Sequence, residues 1–327
     1  MDRVESMENI GQRFLEEMIQ WRRSSVKNIL ISPKYYKGES WYSHFFNMLH
    51  EDMGFEIFYT DGAIDIPKNT KIVIAFGVPH FNWPDQKKVD MLVNLNSSIY
   101  LIVWTTDLHC GDLVKNNKKC KENTLKIFDK CNLILSSYDN RMKSMYRKYL
   151  DKYIYFPWCF ATHERYMKFE INKDPIMKCL MVGASGQAVY PLRFRIRKYA
   201  LKNKHGNIVY VNRKEQEAYA ALLHEYFCGI VDIGHNEVVQ PKYFEIPAVG
   251  SLLLGRRTNL IDDLGFIPYK HYVPFGEGKD VFKKTNEIIS NPDKYEDIRI
   301  EGMNFSREHH SINNRMDFMY DVLRKIL

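Results

Sequence analysis

Short, unbroken apolar runs recur along this chain with helical stretches between them, and the series occurs twice. A strand covered on both faces has no wet side, so it reads as a continuous apolar run instead of an alternation. Parallel strands also need long crossovers, which helices supply. The first series is Asn28–Ser32, Phe55–Tyr59, Lys71–Gly77, Ile99–Trp104, Leu133–Leu135 and Tyr153–Phe156, with helical patterns at Tyr42–Met53 and Asn140–Tyr149. The second is Met177–Gly183, Ile208–Val211, Gly229–Ile233 and Ser251–Leu254, with helical patterns at Leu192–Leu201, Lys214–Tyr226 and Tyr243–Val249. Two long helical patterns, Lys279–Ser290 and Ser311–Leu327, finish the chain. The repetition predicts an α/β chain of two Rossmann-like, doubly wound domains in series.

Length agrees, since 327 residues suit about two domains of roughly 150 residues each. The expected N-terminal domain covers 1–160, and the polar stretch 161–176, closed by Pro175, reads as a linker. The C-terminal domain then covers 177–310, and a final helix at 311–327 is expected to cross back to the first domain. A 45% hydrophobic and 27% charged composition excludes a disordered or fibrous chain. The net charge of +7 favours anionic partners such as phosphates, nucleotides or a membrane surface. No apolar run reaches the roughly 18 residues of a membrane span, and the N-terminus has no signal-peptide core. Ile10, Phe14, Met18 and Trp21 recur at helical spacing within Met7–Arg23, a helix that packs on the domain or, as the alternative, makes peripheral membrane contact. The six cysteines form no C-x-x-C pair and read as reduced thiols, so a cytoplasmic location is expected.

Several motifs are absent. The sequence has no P-loop, no G-x-G-x-x-G after a strand, no H-E-x-x-H and no G-x-S-x-G elbow. No two aspartates are separated by one residue, so a metal held by Asp-x-Asp on a diphosphate is not expected. Three positive features remain. After the strand at 177–182, Gly183-Ala184-Ser185-Gly186 forms a small-residue loop before a helix that carries Arg193 and Arg197 one turn apart. Small side chains admit a phosphate to backbone N–H groups, and a helix N-terminus favours an anion. The densest feature is Glu237 to Gly250, where Glu237 and Glu245 have seven residues between them, with Lys242 in the interval and a short helix starting nearby. A carboxylate at a helix start can accept from two vicinal hydroxyls, as on a ribose, and a lysine there can neutralise a diphosphate. The third feature is Asp107 with His109, directly after a buried strand of the first domain. In an open α/β sheet that position faces the ligand crevice, where either side chain can orient or deprotonate an acceptor hydroxyl. A capping Asp and a packed His is the competing reading.

Pro241-Lys242-x-Phe244-Glu245-Ile246-x-Ala248-x-Gly250, followed by an all-apolar strand, resembles the donor-site signature of GT-B glycosyltransferases. The match is nearest to the spore-maturation-type (CgeB-like) group, related to the retaining family that carries Glu-x(7)-Glu. Trp104 to His109, Phe156-Pro157-Trp158 and His310-Ser311-Ile312-Asn313-Asn314-Arg315 agree in order with the family's pattern. One stretch departs from it: Val238-Val239-Gln240 stands where the large family usually has Gly-Phe-Gly. The resemblance implies two Rossmann-like domains facing across a cleft. It implies a ribose-binding Glu245, a Glu237 near the donor sugar, and Arg193 and Lys242 on the diphosphate. The expected ligand-binding set is Gly183, Ser185, Gly186, Arg193, Lys242, Tyr243 and Glu245, and the expected catalytic set is Asp107, His109 and Glu237.

The resulting expectation is a metal-independent, retaining hexosyl- or pentosyltransferase. It would move a sugar from a nucleotide-sugar to a hydroxyl of a sugar or glycan, or of modified DNA, with no cofactor beyond the donor substrate. The alternative is a catalytically degenerate nucleotide-sugar-binding or assembly protein.

Overall fold

A computed structural model describes residues 26–33, 41–62, 64–78, 86–106, 108, 117–160, 163–184, 186–187, 190–202, 206–212, 216–233, 237–276 and 279–326. The helix expected at Met7–Arg23 lies outside them. The chain divides into two compact units, Met1–Phe156 with Arg324–Leu327, and Pro157–Leu323.

The first unit is built on β1 (Lys27–Ser32), α1 (Trp41–Met53), β2 (Phe55–Tyr59), β3 (Thr70–Val78), α2 (Gln86–Val93), β4 (Tyr100–Thr105), α3 (Asn117–Lys130), β5 (Leu133–Ser136), α4 (Asp139–Met145), a 3-10 turn (Arg147–Lys152) and β6 (Tyr153–Tyr155). Its six strands are parallel in the order β2-β1-β3-β4-β5-β6. Lys71 is the one exposed residue of β3, so the unbroken apolar run does mark a strand covered on both faces. Trp104 anchors the core, edge-on to Phe45, Phe76 and Phe156 with ring centroids 5.0, 4.9 and 5.0 Å away. Such pairs contribute about 0.5–1.5 kcal/mol each beyond their buried area.

The second unit contains α5 (His163–Met167), β7 (Ile176–Val182), α6 (Pro191–Lys202), β8 (Ile208–Val211), α7 (Gln216–Glu225), β9 (Tyr226–Val231), α8 (Lys242–Ala248), β10 (Leu252–Arg256), α9 (Asn259–Asp263), β11 (Val273–Phe275), α10 (Asp280–Ser290), a 3-10 turn (Pro292–Tyr295), α11 (Glu296–His309) and α12 (Ile312–Arg324). Its five parallel strands run β11-β10-β9-β7-β8. β7 lies between β8 and β9, so the strand order reverses at the carboxyl ends of β7 and β9, where open α/β sheets bind ligands. α8 lies tight against the sheet. A Cβ on Gly229 would fall 2.8 Å from Ile246, and one on Gly255 would fall 2.8 Å from Tyr243.

Three differences from the sequence reading have local causes. The helix expected at Asn140–Tyr149 is shorter and gives way to the 3-10 turn after Met145. α11 escaped the pattern because the positions it buries are Arg299, Gly302 and Ser306, which leave no apolar stripe. The stretch 161–176, read as a linker, belongs to the second unit. There Arg299 Nη2 donates to Asn172 O at 2.9 Å, and Arg307 Nη2 donates to Tyr166 O at 3.2 Å and to Phe169 O. Among the described residues no helix is long and apolar enough to cross a membrane.

Candidate functional site

β7 ends at Val182, and the backbone then turns through Gly183 at φ +116°, a conformation that an L side chain rarely adopts. Gly183 N–H donates to Val211 O at 3.1 Å, and its own carbonyl accepts the Tyr210 hydroxyl, which pins the turn to β8. The chain returns as α6, and Arg193 in its first turn folds back over that turn. Arg193 Nη1 donates to Ala184 O at 2.8 Å, and Nη2 donates to Gln240 Oε1 at 2.8 Å. Its guanidinium lies 4.0 Å from the Tyr190 ring centroid. Arg193 is 3% exposed, and its buried Nε makes no hydrogen bond. Burial pulls its pKa down from the usual arginine value, and Tyr190 and Asp232 nearby oppose that fall.

Lys242, the first residue of α8, comes to the same turn from the other side. A Cβ on Gly183 would lie 3.2 Å from Arg193 Nη1 and 3.6 Å from Lys242 Nζ. Two cations therefore converge on one glycine at the strand-order reversal. A phosphate accepts several charge-assisted hydrogen bonds, and a side chain at position 183 would obstruct it.

Glu245 lies one turn further along α8 and is 8% exposed. The Tyr219 hydroxyl donates to its Oε2 at 3.0 Å, and the Tyr166 hydroxyl faces the same carboxylate. Burial raises the Glu245 pKa above the usual carboxylate range, and Lys242 and the two tyrosine hydroxyls oppose that rise without cancelling it. Glu237 sits on the loop after β9 with a left-handed backbone, φ 53°, which is uncommon outside glycine. Its side chain is exposed.

The structure thus brings Gly183, Arg193, Lys242 and Glu245 into one neighbourhood and places Gly186 on the adjoining loop. Ser185, Asp107 and His109 lie outside the described residues. Tyr243, grouped with the ligand-binding residues from sequence, is a correction. It is fully buried, donates its hydroxyl to Arg256 O at 2.7 Å and fills the space that Gly255 leaves empty. Helical phase causes this, since Tyr243 lies on the sheet-facing side of α8. Gln240, Tyr166 and Tyr219 were missed. Only Gln240 left a trace in the sequence, as part of the departure from Gly-Phe-Gly. No group of three or more metal-ligating side chains occurs among the described residues.

Residues 178–321 match a family model described as glycosyl transferase-like. No curated protein matches the chain in sequence. Among solved structures, the fold is similar to an alpha-glucosyltransferase in complex with UDP and a 13-mer DNA, with a TM-score of 0.63, 12% identity, and coverage of 92% of this chain and 100% of that one. It is similar to sucrose-phosphate synthase from Thermosynechococcus elongatus, with a TM-score of 0.58, 11% identity, and coverage of 98% and 94%. It is also similar to HepE of Anabaena in complex with UDP and glucose, with a TM-score of 0.58, 8% identity, and coverage of 91% and 100%. At such identities the likeness is one of fold: an α/β fold with two parallel sheets, as in the two Rossmann-like domains of GT-B glycosyltransferases.

Proposed function

We propose that the protein is a glycosyltransferase that takes a sugar from a nucleoside-diphosphate sugar held on its second unit. The observation that carries this reading is the convergence of Arg193 and Lys242 on Gly183, with Glu245 one helical turn away. The diphosphate would lie over Gly183 between the two cations, and the Glu245 carboxylate would accept from the ribose hydroxyls. As the glycosidic bond breaks, negative charge builds on the departing diphosphate, and pre-placed cations stabilise that charge most where water is excluded. A family model matching the same half of the chain supports the reading, and so do three fold relatives, two of them solved with UDP.

The finer assignments rest on the sequence pattern. Glu237 is proposed to face the donor sugar in the manner of the first glutamate of Glu-x(7)-Glu, which makes the enzyme retaining. Its left-handed backbone marks a residue held in one unusual conformation. Asp107 and His109 are proposed to orient and deprotonate the acceptor hydroxyl, because they follow β4 in sequence. Metal independence is proposed because two side-chain cations stand where a metal would otherwise neutralise the diphosphate. Activity should therefore persist in excess chelator, and abolition of turnover by EDTA with recovery on adding magnesium would refute this part.

The acceptor is open to a second reading. Residues 117–152 hold ten basic and four acidic residues, a net +6 of the chain's +7. Lys118, Lys119, Lys121, Lys126 and Arg147 are exposed there. Such a basic segment suits a polyanionic acceptor such as modified DNA, whose binding would weaken steeply with added salt. The reading as a whole is tested by a thermal-shift screen of nucleoside diphosphates and nucleotide-sugars, followed by a donor-hydrolysis assay. A true ligand at a hundred times its Kd stabilises by about 2.7 kcal/mol. Stabilisation without any turnover would favour a degenerate binding protein, and no stabilisation by any nucleotide would refute the donor site.

A further inference from the structure

The two tyrosines on Glu245 come from different elements. Tyr219 belongs to α7 and Tyr166 to α5; the Tyr219 hydroxyl donates to Glu245 Oε2 at 3.0 Å, and the Tyr166 hydroxyl faces the same carboxylate. Their phenol pKa values are pushed well above the ordinary range by burial and by Glu245 itself, so both stay protonated donors. Tyr166 is itself held in place. It is 3% exposed, its ring lies 5.7 Å from that of Phe160, and its carbonyl accepts from Arg307 Nη2 at 3.2 Å. Arg307 Nε also donates to Ala248 O at 2.9 Å, at the end of the helix that carries Glu245. One guanidinium on α11 therefore ties together the segment bearing Tyr166 and the helix bearing Glu245.

We propose that Tyr166 and Tyr219 are positioning residues, which turn the Glu245 carboxylate toward the ribose by occupying two of its acceptor sites and leaving the others for the vicinal diol. This inference rests on the reading of Glu245 as the ribose-binding group. The arithmetic of acceptor sites fits, because a carboxylate offers about four lone-pair directions. Two go to the tyrosines, and two remain for two hydroxyls. A carboxylate free to rotate in a buried site would lose that match, and one without donors would be driven toward its protonated form.

The pH consequence has a definite sign. The groups that face Glu245 are Tyr219 from α7, Tyr166 and Arg165 from α5, Lys242 from its own helix, and Cys159 from the segment before α5. Arg165, Lys242 and the two hydroxyls favour the carboxylate, whereas burial opposes it. Affinity for a ribose nucleotide falls as pH drops through the Glu245 pKa. Removing one hydroxyl raises that pKa, so the decline begins at a higher pH.

The test uses the full chain with UDP and 2′-deoxy-UDP, titrated calorimetrically between about pH 5 and 8. Wild type, Tyr166→Phe, Tyr219→Phe and Glu245→Ala are compared. Phenylalanine keeps the ring volume, and the two tyrosines lie on separate elements, so either variant alone decides. We expect Glu245→Ala to bind both nucleotides alike. Each tyrosine variant should lose about tenfold in UDP affinity at neutral pH, with its ribose preference reduced and its acid limb moved to higher pH. If Glu245→Ala loses the ribose preference while the tyrosine variants keep the wild-type preference and pH limb, the positioning role is overturned and the donor site stands. Equal losses for UDP and 2′-deoxy-UDP in the tyrosine variants would likewise overturn it, since that pattern marks general disturbance. If Glu245→Ala keeps full ribose preference, or wild type binds no UDP, the inference falls together with the reading beneath it.

Discussion

The two sheets share a construction and differ at their carboxyl edges. Among the described residues of the first unit, hydroxyls end three strands: Ser32 ends β1, Thr105 ends β4 and Ser136 ends β5. Thr105 Oγ1 donates to Ser136 Oγ at 2.6 Å, which in turn accepts from Tyr138 N–H at 3.1 Å. The adjacent Thr106 is 1% exposed, and its hydroxyl makes no hydrogen bond. In the second unit the corresponding edge carries charge: Arg193, Lys242 and Glu245 around Gly183, and Asp232 with Arg256 Nη1 at 3.7 Å. Parallel strand order fixes where a ligand can sit, and the side chains at the strand ends decide which ligand. Arg193 is buried at this edge with Asp232 in its field, and a buried cation is expensive without an anion.

The largest expected effect tests the segment that follows β4 in sequence. Asp107→Asn and His109→Ala should each lower kcat by about 10²–10⁴-fold, the range for general acid–base groups, while UDP affinity stays near wild type. Normal turnover in both variants would leave that segment with no chemistry and assign the two residues to capping and packing.

The charged edge is tested next. Arg193→Ala removes a buried cation and orphans Gln240 Oε1 and Ala184 O. UDP affinity should fall by about a hundredfold, because charge-assisted bonds contribute roughly 1.5–3 kcal/mol each. Calorimetry at two salt concentrations checks it. Affinity unchanged within error would move the diphosphate away from Gly183 and erase the contrast between the sheets.

The smallest effect concerns stability of the second unit. His310 is 4% exposed, Nδ1 accepts from Arg315 Nη2 at 2.8 Å, and Nε2 faces Leu264 O at 3.1 Å. That pattern requires a neutral ring carrying its proton on Nε2. Burial, reinforced by the Arg315 guanidinium, pushes its pKa down from 6.5 to about 2. The unfolded chain then binds the extra proton first, so the stability is fully present above pH 6.5 and declines as pH falls toward the folded value. The expected loss is about 1.4 kcal/mol per pH unit below that point. Urea midpoints at about pH 7.5 and 5.5 measure it, and His310→Gln should flatten the slope. A pH-independent midpoint in the wild type would contradict a buried neutral imidazole.

Much of this was legible in the residues and some was not. Every strand of the first sheet was read from apolar runs; the four inner strands are almost wholly buried, and the edge strands β2 and β6 are half-buried. α11 and α3 were invisible. α11 buries Arg299, Gly302 and Ser306, and α3 buries Asn123 and Thr124 beside Ile127 and Phe128, so neither shows a clean stripe. In the site, Arg193, Lys242 and Glu245 could be named because charge beside small residues after a strand is informative. Tyr243 was misplaced because seven helical residues offer too short a pattern to tell the sheet-facing side from the ligand side.

Local covalent pattern was enough to determine the class of fold, its division into two sheets, the turn at Gly183 and the charge around it. These depend on periodicity and on steric limits that act within a few residues. Which groups meet was decided only by the tertiary structure. Gln240 reaches Arg193 across 47 positions, and Tyr219 reaches Glu245 across 26. Arg307 holds Phe169 across 138. Such pairings follow from strand order and helix docking. No short-range rule contains that information, because the free energy of each contact exists only once the sheet has brought its partners within about 3 Å.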